Sequence, residues 1–109
     1  MYRTAQEYQS PMHFILIAHD KPGGLPLRLA TRPAHLTYWE QEVGAKLLFG
    51  GPLLGDDGNP KGSILVVDAA DDAQAKAYFD ADPFIAAGLF QSVEISRFRH
   101  VFTGGVAQG

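Results

Sequence analysis

The chain has 109 residues, 46% hydrophobic and 19% charged, with no cysteine and a formal net charge of −3. Without cysteine there are no disulfides, thiol nucleophiles, iron–sulfur clusters, thiolate zinc sites or c-type haem attachment. The mild acidity argues against a nucleic-acid partner, and the longest apolar run, Phe14–Ala18, is five residues, far short of the ~18 that cross a bilayer.

At ~100–200 residues per domain this is one domain. Size scaling buries about 65% of its unfolded surface, enough for one core but not two. Residues 1–11 are polar and aperiodic and read as a flexible N-terminal extension. They lack the charged-then-apolar pattern of a secretory leader, so the expected location is cytoplasmic.

The segment from His13 to Ala18 reads as a strand with apolar residues on both faces, followed by a loop over residues 21–26. The stretch from Leu27 to Gly44 reads as helical, with Leu29, Leu36, Trp39 and Val43 at spacings of seven, three and four. Pro33 interrupts it, and proline is at ease only in a first turn, so the main helix is expected to start near Arg32 or Pro33 and to end at Gly44. Residues 46–54 form a second strand, residues 55–62 a turn-rich connection, and residues 63–68 a third strand, again apolar on both faces. Asp71 or Asp72 caps a second helix through about Ala81, and Asp82-Pro83 stops it and opens a short turn that ends at Gly88. Residues 91–102 form the last strand. Val93 and Ile95 share one face while Phe98 and Phe102 share the other, which predicts a bulge near Ser96–Arg97 or burial on both faces. The glycine-rich residues 104–109 read as a flexible tail.

The order is βαββαβ, a ferredoxin-like α+β fold with a four-stranded antiparallel sheet. Two helices cover one face only, yet the first and third strands are apolar on both. A second copy of the sheet is the expected cover, giving a homodimer with a barrel-like core; association beyond the dimer stays open.

No phosphate loop, dinucleotide fingerprint or nucleophile elbow is present, so no cofactor is expected. The four histidines, His13, His19, His35 and His100, lack metal-ligand spacing, so no metal is expected either. Arg28, Arg32, His35 and Trp39, at offsets of four, seven and eleven, fall on one side of a continuous helix. Two cations, an imidazole and an indole there suit an anionic aromatic or carboxylate ligand; the competing reading is a solvated face with Trp39 in the core. If Pro33 lies in the first turn, so does His35, and the helix N-terminus then favours a neutral ring able to accept a proton. Its carboxylate partner is either Asp20, after the first strand, or Asp82, which as Asp before Pro is also an ordinary helix cap.

The blocks from Met12 through His19-Asp20, Arg28-Leu-Ala-Thr-Arg32-Pro-Ala-His35-Leu, Leu48-Phe-Gly-Gly51-Pro52, Gly62-Ser63-Ile-Leu and Ala81-Asp82-Pro83-Phe84 through Gly88 together resemble the YciI-like (YCII-related) family. The match runs from about Met12 to Phe102, within a domain placed at residues 12–103. The resemblance implies a dimeric α+β barrel, similar to muconolactone isomerases, small quinol monooxygenases and a dehydrochlorinase of chlorinated hydroquinones. It also implies a His–Asp pair, His35 with Asp82, and a pocket that includes Arg32 and Ser63. The expected activity is cofactor-independent proton transfer, isomerisation or elimination, on a small anionic molecule. Arg32, with Arg28, would hold its charge, and Asp20 is a further candidate at the pocket. A non-catalytic small-molecule-binding dimer is the alternative, and quinol monooxygenation a weaker one.

Overall fold

The structure is a computed structural model that describes residues 12–107. The expected extension over residues 1–11 lies outside the described residues, as do the last two residues of the tail. The elements are β1 (Met12–Asp20), α1 (Leu25–Thr37), a π-helical turn (Tyr38–Val43), a 3-10 turn (Gly44–Lys46), β2 (Leu47–Leu54), β3 (Pro60–Ala69), α2 (Asp72–Asp80), α3 (Pro83–Ala86) and β4 (Phe90–Phe98). Two short strands, β5 (Phe102–Thr103) and β6 (Val106–Ala107), follow. The main sheet is antiparallel in the order β2-β3-β1-β4, the ferredoxin-like α+β fold.

Strand alternation sorts the core. Phe14, Leu16 and Ala18 of β1 stand in register with Val67, Leu65 and Ser63 of β3 and share the face that the helices cover. Trp39, Val43, Ala75 and Phe79 complete that core from the helical side. Val93 and Ile95 of β4 lie on the same face but beyond the helices, 42% and 37% exposed. On the opposite face Ile15, Ile17 and Ile64 are half-buried, and Val66 is fully buried. There the His100 ring lies against Phe49, Phe98 and His13, over the end of the sheet where Val66 pairs with Ile15 and Phe49.

Three local expectations change. Helix α1 does not restart at Pro33. It begins at Leu25 with Pro26 in its first turn and carries Pro33 inside, on an exposed position, without breaking. His35 therefore sits in the last turn of α1, which runs on directly into the π turn, and the argument for a neutral ring from an N-terminal position falls. The irregularity of the last strand is also elsewhere. Pairing of β1 with β4 is continuous through Ser96 and Arg97, and the register shifts between His19 and Asp20, opposite Gln91. Phe102 is not part of that strand; it belongs to a hairpin whose turn, Gly104-Gly105, has φ of 58° and 81°, which glycine adopts freely.

Of the two cap candidates for the second helix, Asp71 and Asp72, the structure uses Asp71, and Asp82 caps the next as expected. Asp71 Oδ1 accepts from Gln74 N at 2.8 Å and starts α2. Asp82 Oδ1 accepts from Phe84 N at 2.9 Å and starts α3. Gly44 ends the π turn by donating its N–H to the Trp39 carbonyl.

Candidate active site

A cavity of about 360 Å³ opens between α1, the π turn and the β2–β3 side of the sheet. Arg28, Arg32, His35 and Trp39 all line it. The helix reads through Pro33, so these four side chains do share one side, as their spacing predicted. The π turn follows α1 directly, with Trp39 and Val43 buried in the core. Gly50 of β2, Ser63 and Leu65 of β3 and Phe84 of α3 form the other walls. At the small end of the ~300–1,000 Å³ range of ligand pockets, the space suits a molecule of about one ring.

Two side-chain pairs, each with one member in the cavity wall, stand side by side. His35 Nδ1 lies 2.9 Å from both Oδ1 and Oδ2 of Asp82. Asp82 is only 2% exposed and also accepts from Trp39 Nε1 at 2.9 Å. The α3 cap is thus the same carboxylate that orients the histidine. The imidazole stacks on Phe84 with centroids 4.0 Å apart. With Nδ1 directed at the carboxylate, Nε2 is the nitrogen left to face the cavity, and among the described residues no protein group bonds it.

The second pair answers the other carboxylate. Asp20 binds Arg28, accepting from Nε at 2.7 Å and from Nη2 at 2.8 Å. Arg28 is 4% exposed, and its guanidinium carbon stands 4.7 Å over the Phe84 ring. Its Nη2 also donates to Ser63 Oγ at 2.9 Å, and among the described residues no acceptor takes the serine's own hydrogen, which is left for a ligand in the cavity. Asp20 does not line this cavity; it borders a second, loop-lined cleft. Arg32 lines the main cavity, is exposed, and among the described residues has no carboxylate within ion-pair distance, so it is the cation a ligand meets first.

Burial raises the Tyr38 phenol above its ordinary range, with the Asp82 charge the next cause, and Tyr38 Oη donates to the Tyr78 carbonyl at 2.6 Å. Two participants escaped the sequence reading. Phe84 stood in the sequence only as part of the Asp-Pro-Phe block, with no role assigned, and its place as the platform under both His35 and Arg28 depends on α3 docking against α1. Glu40, on the cavity rim, follows Trp39 in the π turn, a geometry that helical spacing does not anticipate. Among the described residues no group of three His, Asp or Glu side chains is placed to hold a metal ion, and no helix is long and apolar enough to cross a membrane.

The sequence profile of the YCII-related domain matches residues 12–99. The protein YciI of Escherichia coli O6:H1 is 34% identical over 99 residues, spanning 84% of this chain and 100% of that protein. An uncharacterized protein of Haemophilus influenzae is 33% identical over 98 residues, again 84% of this chain and 100% of the other. Among solved structures, the 5-chloro-2-hydroxyhydroquinone dehydrochlorinase of Burkholderia phenoliruptrix, in complex with 2,5-dihydroxybenzoquinone, superposes with a TM-score of 0.75 at 36% identity, covering 82% of this chain and 95% of that one. An antibiotic biosynthesis monooxygenase shares the fold alone, with a TM-score of 0.54 at 14% identity over 83% of this chain and 98% of that one. With the profile matched through β1–β4 and relatives a third identical covered from end to end, this chain belongs to the YCII-related domain family.

Proposed function

We propose that the protein is a cofactor-independent enzyme that moves a proton on a small anionic ring compound and, where the ring carries chlorine, eliminates it as chloride. The observation that carries this is the His35–Asp82 pair at 2.9 Å, with the His35 ring in the wall of a one-ring cavity. The dehydrochlorinase at 36% identity supplies the reaction class and the kind of ligand, a hydroxylated six-membered ring.

The chemistry follows from the arrangement. A hydroxyl proton of the substrate passes to His35 Nε2 and is returned to the ring carbon that bears chlorine, which turns the ring into a dienone. A second hydroxyl proton then passes to the same nitrogen as the carbon–chlorine bond breaks, and the bonding pair leaves with chloride. The net loss is one proton and one chloride, with no change that calls for an outside oxidant. Asp82 holds the ring by Nδ1 and steadies the imidazolium while it exists. Arg32 and the free hydrogen of Ser63 face the oxygen on which negative charge develops.

The test is chloride release from a chlorinated hydroxyhydroquinone. Release is expected from the wild-type chain, with a loss of about 10²–10⁴-fold in His35→Ala and in Asp82→Asn. Undiminished release in both variants defeats the mechanism. Oxygen uptake during turnover would instead favour quinol monooxygenation.

A second reading, a binding protein without turnover, has its own support. Asp82 caps α3, so the pair also has a structural use. Under that reading the chain binds a hydroxylated ring compound in calorimetry but releases no chloride and forms no product from it.

The proposed assembly is a homodimer through the sheet face that the helices leave uncovered, where Ile15, Ile17 and Ile64 stand half-buried.

A further inference from the structure

The Trp39 indole is 2% exposed, and its Nε1–H donates to Asp82 Oδ2 at 2.9 Å. Among the described residues it is the one side chain besides His35 that hydrogen-bonds this carboxylate. A buried tryptophan takes whatever acceptor the core provides. Here that acceptor is the group that orients the histidine.

A carboxylate supports a neighbouring imidazolium in proportion to the charge it retains. Each donor it accepts from elsewhere disperses that charge and weakens the support. We propose that Trp39 is a positioning residue: its N–H fixes the Asp82 carboxylate beneath the His35 ring and draws charge from Oδ2, so that Asp82 orients the ring without locking it in the protonated form. The inference rests on the reading of His35 as proton acceptor.

The other groups around the pair remain when Trp39 is altered. Arg28 and Arg32 of α1 oppose a charged ring, and Glu40 of the π turn favours one. Asp20 of β1 is bound to Arg28, and Ser63 of β3 is neutral. Tyr38 keeps its proton to above its ordinary range.

The sequence contains a single tryptophan. Expression with β-(3-benzothienyl)alanine in place of tryptophan therefore alters position 39 alone, keeping the bicyclic shape and removing the N–H. The readout is the pH titration of the His35 ring protons by NMR, on the full chain without ligand. The midpoint is expected to move up by about 0.5–1 pH unit, while those of His13, His19 and His100 stay in place. An unmoved His35 midpoint, or an equal movement of all four, overturns the proposal. If the analogue prevents folding, Trp39→Phe is titrated with the same two outcomes. No substrate enters this experiment, so its failure is separate from failure of the reaction: the first leaves the His35→Ala loss of turnover intact, and the second leaves the titration intact.

Discussion

Asp82 serves three donors with two oxygens: the His35 ring, the Trp39 indole and the first free N–H of α3. A buried carboxylate is tolerable only when so supplied, because an unpaired charge in the core loses its hydration without return. The same physics separates the two aspartates that spacing left unranked. Asp20 lies against Arg28, and both side chains are nearly enclosed, with relative exposures of 6% and 5%. Removing one partner strands the other charge, so Asp20→Ala is expected to cost about 3–5 kcal/mol in chemical denaturation. A loss below about 1 kcal/mol would mean that Arg28 finds water in the cavity instead. Arg28 thus differs from Arg32: one is matched within the wall, the other open to a ligand.

At the scale of elements, β2 forms the cavity floor as closely as its glycines allow. A side chain at Gly50 would put its Cβ 2.6 Å from Leu65 Cδ2 and 2.7 Å from the Ile64 carbonyl oxygen, and the latter is backbone that does not yield. At Gly51 nothing lies within 4 Å. Gly50→Ala is therefore expected to lower stability by about 1–3 kcal/mol, while Gly51→Ala leaves the thermal midpoint nearly unchanged. Equal effects in thermal melts would show that β2 shifts freely against β3. The helices teach a related point. Periodicity placed the cavity-facing side of α1, but the proline rule misplaced its start, because Pro26 already fills the first turn and Pro33 rides inside the helix. That start would have put His35 in a first turn, whereas it lies in the last turn of α1 just before the π turn.

For the whole molecule, the open question of the sequence was what covers the second face. The structure leaves Ile64 of β3 half-buried there, in register with Ile17 of β1 and Gly51 of β2. If that face binds a second copy, the wild-type chain sediments as a dimer at micromolar concentration. Ile64→Lys then gives a folded monomer, with the same far-ultraviolet dichroism, because a buried like-charge pair at a two-fold interface is unfavourable. A wild-type monomer at that concentration, or a dimer untouched by the lysine, rejects this face as the interface.

The sequence by itself determined the βαββαβ order of the main sheet, a helix cap at Asp71 or Asp72 and another at Asp82, the alternation that builds the core face and the helical side bearing Arg28, Arg32, His35 and Trp39. Each is a local property, set within a turn or two by backbone hydrogen bonding and side-chain period. Residue spacing left open what tertiary structure decided: Asp82, which the family resemblance implied, meets His35 across 47 positions, while Asp20 meets Arg28 across eight. Tertiary structure also decided that Phe84 lies under both and that Trp39 holds the carboxylate rather than a ligand. Those contacts arise where α3 docks on α1 and β1 runs beside β3. Packing chooses among partners that spacing leaves equivalent, since a carboxylate's reach is a few ångströms in space and has no fixed length along the chain.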